Sequence, residues 1–245
     1  SVDHMLCLFP FEPQIYRDAG IEASFVGHPL ADTIPMEVPR AAARAQLGYG
    51  EHEPLVAILP GSRRGEIAHI GETFLQTVSL LARQRPELRF VLPVAPGLMP
   101  MVQELVKAHA PDAPLKVIDG QSHAVLAACD VTLIASGTAT LEAALFKRPM
   151  VIAYKISALS WPIMKRMAYL PWVGLPNILA REFLVPERLQ HDANPAQLAR
   201  DVLEWLDQPQ RMDAVRQRFV EMHHALRQDT AHAATLAIAR VLGQA

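Results

Sequence analysis

The stretch Ser136-Gly137-Thr138-Ala139-Thr140-Leu141-Glu142 stands between an apolar run, Val131–Ala135, and a short helical pattern. The run is typical of a buried strand, and the stretch predicts a tight turn from that strand into a helix. At such a junction the unpaired N–H groups and the helix dipole form a site for an anion. We expect Gly137 to let a phosphate approach the backbone, with Ser136 and Thr138 capping the helix or donating hydroxyls.

Glu142 follows Thr138 by four residues, about one helical turn, which places it near the mouth of the same cleft. A carboxylate there can accept hydrogen bonds from a vicinal diol such as a ribose. Taken alone, the stretch is equally consistent with an ordinary helix N-cap followed by a surface glutamate.

Apolar runs alternate with helical patterns over residues 55–154. Strands are predicted at residues 55–59, 88–94, 115–118, 131–135 and 149–154. Helices are predicted at residues 67–81, 101–110, 122–128 and 138–145. Strict alternation with short loops predicts an α/β fold, a doubly wound parallel sheet covered by helices on both faces.

A second glycine turn, Gly61-Ser62-Arg63, follows the first of these strands. In a doubly wound sheet of order 3-2-1-4-5, strands one and four are neighbours and ligands bind at their carboxyl ends. The two turns are therefore expected to face each other across one crevice, where Arg63 offers donors suited to a diphosphate. Neither turn has the G-x-G-x-x-G spacing of a dinucleotide site, and the chain has no Walker A loop.

The two ends of the chain have a different pattern. Residues 1–32 contain a strand, a helix and a strand that cannot bury a core alone, so we expect the remnant of a larger N-terminal domain. The start at Ser1, without Met, also suggests a cut within a longer protein. Residues 33–54 contain three prolines and predict a linker with at most one short helix. Residues 191–245 are expected to form C-terminal helices, the first capped by Asn194-Pro195.

The composition restricts the class of protein. With 245 residues, 51% hydrophobic and 20% charged, the chain is globular, and its net charge of −2 gives no reason to expect nucleic-acid binding. Cys7 and Cys129 stand in apolar surroundings and favour a reducing compartment. No apolar run reaches the ~18–20 residues that span a bilayer. The histidines lack metal-ligand spacing, so we expect no metal and no cofactor.

Four blocks of sequence carry a resemblance. They are Phe25-Val26-Gly27-His28-Pro29-Leu30-Ala31-Asp32, Leu59-Pro60-Gly61-Ser62-Arg63, the stretch from Ala135 to Glu142, and Leu175-Pro176-Asn177-Ile178-Leu179-Ala180. In this order they resemble the lipid-A-disaccharide synthase family, and the similarity runs over essentially the whole chain.

The resemblance implies a GT-B-type glycosyltransferase with two Rossmann-like domains, acting at the cytoplasmic face of the inner membrane of Gram-negative bacteria. Members join UDP-2,3-diacylglucosamine to 2,3-diacylglucosamine 1-phosphate (lipid X) and release UDP. By resemblance, residues 1–32 are the end of the acceptor domain and residues 33–190 the UDP-sugar-binding domain. The implied substrate-binding residues are Gly61, Ser62 and Arg63 on the diphosphate, Ser136, Gly137 and Thr138 on its other side, Glu142 on the ribose, and Asn177 shaping the cleft.

The implied reaction is a displacement with inversion, in which a base takes the proton of the acceptor hydroxyl. The resemblance places that base in the N-terminal domain, so no catalytic residue is assigned within this chain. Donors around the diphosphate would stabilise the departing UDP. We therefore expect the chain to bind UDP and to transfer no sugar.

Membrane contact and self-association are two further expectations. Residues 154–173 mix Trp, Tyr, Met and basic side chains, as in a segment at a membrane interface, although a core helix with a basic edge explains them almost as well. The acylated substrates favour peripheral contact with the inner membrane. The leucine-rich faces around Leu203, Leu206 and Leu242 fit either a homodimer or the core.

Other functions compatible with this fold are a peptidoglycan transferase that uses UDP-GlcNAc and a UDP-GlcNAc epimerase. The block that begins at Leu175 argues against both. A different class of function, a non-catalytic nucleotide-binding or oligomerisation module, is favoured if the native protein begins near Ser1.

Overall fold

The computed structural model describes residues 2–156 and 170–243. Its strands are β1 (His4–Cys7), β2 (Glu22–Phe25), β3 (Leu55–Leu59), β4 (Arg89–Val94), β5 (Leu115–Asp119), β6 (Val131–Ala135), β7 (Met150–Tyr154) and β8 (Glu187–Leu189). Its helices are α1 (Glu12–Asp18), α2 (Pro29–Thr33), α3 (Arg40–Leu47), α4 (Arg64–Gln84), α5 (Met99–His109), α6 (Ser122–Ala128), α7 (Thr138–Leu145), α8 (Leu175–Ala180), α9 (Pro195–Asp207), α10 (Pro209–Leu226) and α11 (Thr230–Val241).

Six of the strands form one parallel sheet of order β5-β4-β3-β6-β7-β8. Counted from β3 this is the order 3-2-1-4-5-6, which confirms the doubly wound sheet and places β3 beside β6. The edge strand β8 was not predicted. It is only three residues long and carries Glu187 and Arg188, so it lacks the apolar run that marks a buried strand.

The centre of the sheet is buried on both faces. All five residues of β3 and all five of β6 are buried, as expected for parallel strands covered by helices. Helix α4 covers one face through apolar side chains at helical spacing, among them Ile67, Phe74 and Leu81, each at most 2% exposed. The sheet and its helices therefore form one core, whose strands end at the edge that carries both glycine turns.

The first two strands lie apart from this sheet and form a parallel pair of their own. The chain that follows them packs on the C-terminal helices. His28 N–H donates to the carbonyl of Leu226 at 2.9 Å, and the Asp32 carboxylate accepts from the N–H groups of Asp229 and Thr230 at the start of α11. The beginning and the end of the sequence are thus held together.

Residues 34–54 contain one short helix, α3, as expected, and this segment is fixed to the sheet domain. Arg44 on α3 is 1% exposed, and its guanidinium donates to Asp130 at 2.9 Å and to the carbonyl of Ala128. The same group donates to the carbonyls of Gly50 and Glu53. A buried arginine therefore fixes this segment to the sheet domain.

The C-terminal helices begin as the sequence indicates, because the Asn194 side chain accepts from Gln197 N–H at 3.0 Å. Helix α9 packs on α4 and β6, and Trp205 donates its indole N–H to the carbonyl of Met150. Leu203 and Leu206 are partly buried against the core, whereas Leu242 is 63% exposed.

Most of the segment expected at a membrane interface, residues 157–169, lies outside the described residues. Among the described helices, none combines the length and the apolar character needed to cross a bilayer.

Candidate functional site

A cavity of about 780 Å³ lies at the carboxyl edge of the sheet. It is lined by the ends of β3, β4, β6 and β7, by the segment after β5, and by the first residues of α4, α6 and α7. Of the eight residues predicted to bind substrate, seven line it: Gly61, Ser62, Arg63, Ser136, Gly137, Thr138 and Glu142. The two glycine turns therefore share one hollow, as their strand positions predict.

The turn before α7 is open towards the cavity. Gly137 is the N-cap, with φ 155° and ψ −168°, a conformation that belongs almost entirely to glycine. A Cβ placed on Gly137 would meet no atom within 4 Å, and the N–H groups of Thr138 and Ala139 have no acceptor among the described residues. These donors are free to bind an anion.

Neither Ser136 nor Thr138 caps α7 with its side chain, and the alternative expectation, that their hydroxyls donate to a phosphate, stays a prediction. Thr138 is the first helical residue, and the Ser136 hydroxyl points elsewhere, donating to the carbonyl of Val173 at 3.1 Å. Gly137 carries the N-cap position because the turn needs its unusual dihedral angles. The Thr140 hydroxyl closes the turn by donating to the carbonyl of Gly137 at 2.8 Å.

The segment that holds Ser136 is itself fixed by a carboxylate on β8. Glu187 accepts from Val173 N–H at 2.8 Å, from Gly174 N–H at 2.9 Å and from the Asn177 amide at 2.8 Å. Asn177 is completely buried and also exchanges two hydrogen bonds with the backbone of Val185. Asn177 is not among the residues that line the cavity. It is connected to the α7 turn indirectly, because it donates to Glu187, which accepts from Val173, whose carbonyl accepts from Ser136.

The turn before α4 is closed by a side chain of its own helix. Glu66 Oε2 accepts from Ser62 N–H at 2.9 Å and from Arg63 N–H at 3.2 Å. Glu66 Oε1 accepts from Arg63 Nη1 at 3.1 Å. Gly61, at φ 119°, is required by this arrangement, since a Cβ there would lie 2.6 Å from Glu66 Cβ. An anion thus already occupies the backbone N–H groups of this turn.

Glu142 projects from α7 at the cavity and is paired with a histidine. Its Oε2 lies 3.4 Å from His123 Nε2, and the Glu142 side chain is 21% exposed. The His123 ring rests on Phe146, with 5.3 Å between ring centroids. Oε2 is the Glu142 oxygen that contacts His123, so Oε1 can accept hydrogen bonds from other donors.

Lys155 adds a cation to the cavity. It follows β7, and its ammonium donates to the hydroxyl of Thr73 on α4 at 2.7 Å. Burial lowers the pKa of Lys155, while the nearby Glu72 acts in the opposite direction. Arg63 and Lys155 together bring positive charge to a hollow that also receives the N-terminus of α7, which suits a phosphate-bearing ligand.

Sequence reasoning did not assign a role to Glu66, His123, Lys155 or Glu187. For Glu66 a partial signal existed: a glutamate three residues after the N-cap can accept from the N-cap N–H, as in one half of a capping box, although Arg63 lacks the side-chain acceptor of the other half. For Lys155 the signal was its place at the carboxyl end of a predicted strand, near the same crevice, whereas His123 and Glu187 depend on contacts between residues far apart in sequence. In the described part of the chain, no group of His, Cys, Asp or Glu side chains is placed to hold a metal ion.

Comparison with solved structures identifies the fold. Sucrose-phosphate synthase from Thermosynechococcus elongatus matches 99% of this chain and 59% of its own, with a TM-score of 0.61 and 18% identity. WaaG, described as a glycosyltransferase involved in lipopolysaccharide biosynthesis, matches 93% of this chain and 61% of its own, with a TM-score of 0.57 and 14% identity. The fold is that of the GT-B glycosyltransferases.

Sequence comparison gives the family. Residues 1–241 match the profile described as lipid-A-disaccharide synthetase. The lipid-A-disaccharide synthases of Albidiferax ferrireducens and Burkholderia vietnamiensis are 52% and 51% identical to this chain over 99% and 100% of its length. The chain belongs to the lipid-A-disaccharide synthase family, and it spans 63% of the length of each of these two relatives.

Proposed function

We propose that this chain binds the UDP moiety of a UDP-linked acylated glucosamine. The observation that carries this proposal is the shared cavity, in which Arg63 and the unpaired N–H groups of α7 face one space at the edge of the sheet. A diphosphate carries negative charge on both phosphates, and it matches donors that converge from two sides.

Within the cavity, we assign the diphosphate to the turn before α7. Thr138 and Ala139 would donate their N–H groups, Gly137 would allow close approach, and Arg63 would reach across from the opposite turn. Glu142 would accept hydrogen bonds from the ribose hydroxyls. Ser62 and Gly61 would take part through the position they give to Arg63, since their turn is already bonded to Glu66.

We propose further that the protein to which this chain belongs is a lipid-A-disaccharide synthase. It would transfer 2,3-diacylglucosamine from UDP to 2,3-diacylglucosamine 1-phosphate with inversion. The part of this chain would be to stabilise the charge that grows on the β-phosphate as the bond to the anomeric carbon breaks. Residues 33–190 would form the nucleotide domain, and residues 1–32 would adjoin the acceptor domain.

Two solved structures with a similar fold support the proposal that the bound nucleotide is UDP. UDP-GlcNAc 2-epimerase from Neisseria meningitidis was solved bound to UDP-GlcNAc, and the pneumococcal O-GlcNAc transferase GtfA was solved in complex with UDP and GlcNAc. Both are 12% identical to this chain. The epimerase alternative is disfavoured by the far higher identity, 52%, to a lipid-A-disaccharide synthase.

Peripheral association with the inner membrane is part of the proposal. Leu170 and Phe183 are 47% and 62% exposed and lie on the chain that follows residues 157–169. Trp161→Glu combined with Lys165→Glu is expected to weaken binding to anionic vesicles. Unchanged vesicle binding would argue for a core role of the segment.

The nucleotide proposal is tested by calorimetric titration of the chain with UDP, UMP and ADP. UDP is expected to bind more tightly than UMP, because the second phosphate meets Arg63 and the α7 turn. Arg63→Ala should reduce the preference for UDP over UMP, whereas Arg83→Ala, on the same helix and remote from the cavity lining, should leave it unchanged. Equal affinity for UDP and UMP would contradict the proposal.

A further inference from the structure

Glu66 contacts Arg63 through one carboxylate oxygen and the backbone through the other. Oε2 accepts from the N–H groups of Ser62 and Arg63, and Oε1 accepts from Arg63 Nη1. One carboxylate oxygen is therefore bonded to the backbone, and the other is bonded to an exposed side chain; we call them the fixed half and the exchangeable half of the carboxylate.

The fixed half has little freedom to leave. The Glu66 side chain lies directly against Gly61, where a Cβ would be 2.6 Å from both Glu66 Cβ and Oε2. Two backbone donors converge on Oε2, and charge-assisted hydrogen bonds of this kind at a helix N-terminus are stabilising. A phosphate would have to displace this carboxylate to use the same N–H groups.

The exchangeable half is weakly held. The Arg63 side chain is 83% exposed and that of Glu66 is 32% exposed, so the ion pair is screened by solvent. Arg63 lines the cavity that also contains the unpaired N–H groups of α7. A diphosphate bound there offers the guanidinium a second anion with more charge and with oxygens suited to bidentate contact.

We propose that Glu66 is a positioning residue that holds the Arg63 guanidinium when no nucleotide is bound. When UDP binds, the guanidinium leaves Glu66 and pairs with the diphosphate. This rests on the proposed nucleotide function and adds the residue that regulates it. Glu66 stays on the backbone N–H groups of its turn, so the diphosphate binds at the α7 turn in place of the α4 turn. The affinity for UDP is lowered by the free energy needed to break the Arg63–Glu66 pair.

The test is a double-mutant cycle on the 245-residue chain. Glu66→Gln keeps a carbonyl oxygen for the backbone donors and removes the charge that holds Arg63. It is expected to bind UDP about two- to five-fold more tightly than the unchanged chain, the range for an exposed ion pair. In an Arg63→Ala background the same substitution should have no effect. Glu104→Gln, an exposed glutamate on α5, is the matched control for loss of one negative charge.

Unchanged or weaker UDP binding by Glu66→Gln, with its melting temperature preserved, would overturn the inference, as would an equal gain in the Arg63→Ala background. Inorganic pyrophosphate is titrated in parallel to separate this result from failure of the proposed function. If UDP fails to bind any variant while pyrophosphate binds Glu66→Gln more tightly, the nucleotide proposal is wrong and the Arg63 exchange stands. If neither probe binds any variant, both are overturned.

Discussion

The two glycine turns at the edge of the sheet occupy equivalent places between a strand and a helix, but they differ in whether their backbone N–H groups are hydrogen-bonded. Each connects a buried parallel strand to a helix, and each borders the same cavity. The turn before α4 is satisfied by Glu66 from its own helix. The turn before α7 leaves its N–H groups unpaired among the described residues and is held from outside by Val173.

This difference shows that a strand–glycine–helix junction does not by itself define an anion site. The N–H groups of Ser62 and Arg63 in the α4 turn are already hydrogen-bonded to Glu66. Gly61 makes room there for the Glu66 side chain. The α7 turn has N–H groups without an acceptor in the described part of the chain, and binding of an anion requires such donors. In the proposed function the turns therefore contribute differently: the α4 turn would position Arg63, and the α7 turn would receive the phosphate.

Gly61→Ala should give the largest effect, and it should appear in stability. The new methyl group would stand 2.6 Å from Glu66 Cβ, at a φ of 119° that L-residues rarely adopt. Backbone strain and the displaced Glu66 side chain together should lower the free energy of unfolding by about 3 kcal/mol. Urea denaturation measures this, and a change below about 0.5 kcal/mol, the scale of a neutral surface substitution, would contradict the packing role.

Gly137→Ala should change UDP binding more than stability, in contrast to Gly61→Ala. The methyl group meets no protein atom, but the conformation at φ 155° and ψ −168° costs a side-chain-bearing residue about 1–3 kcal/mol. The turn is expected to relax and move the N–H groups of Thr138 and Ala139. UDP affinity should fall about tenfold or more by calorimetry. If Gly137→Ala binds UDP normally while Gly61→Ala does not, the two turns have been assigned the wrong way round.

Glu187→Gln should have a smaller effect that reaches the α7 turn indirectly. An amide has one acceptor oxygen for the donors of Val173, Gly174 and Asn177, so at least one buried donor loses its partner. This should lower the free energy of unfolding by about 1 kcal/mol. Asn177→Ala should resemble it, and Glu182→Gln, on an exposed glutamate nearby, serves as control.

Because Ser136 is held by Val173, we also expect Glu187→Gln to weaken UDP binding a few-fold. Lower stability with unchanged affinity would show that the α7 turn keeps its shape without this support.

Local patterns accounted for much of the fold. The bounds of β3, β6, α6 and α7 match the prediction, and the two strands end where Pro60 and Ser136 interrupt their apolar runs. The meeting of the two turns also followed, because it depends on strand order alone. The roles of Arg44, His123 and Glu187 did not follow, because each depends on partners distant in sequence. The burial of Asn177 did not follow either, because burial is a tertiary property, and its part in shaping the cleft stays a prediction.

The smallest expected effect concerns pH and tests whether Lys155 contributes charge to the shared cavity. Burial lowers the pKa of Lys155 below the usual 10.5, so its positive charge is lost at a lower pH than that of an exposed lysine. UDP affinity should therefore decline as pH rises through the lowered pKa of Lys155, by about two-fold for one partly screened charge. The sign for folding is opposite: the unfolded state holds the proton longer, so this group makes the folded state more stable as pH rises from that pKa towards 10.5. Lys155→Arg keeps the charge and should remove the decline in affinity, and an identical decline in that variant would show that Lys155 does not face the diphosphate.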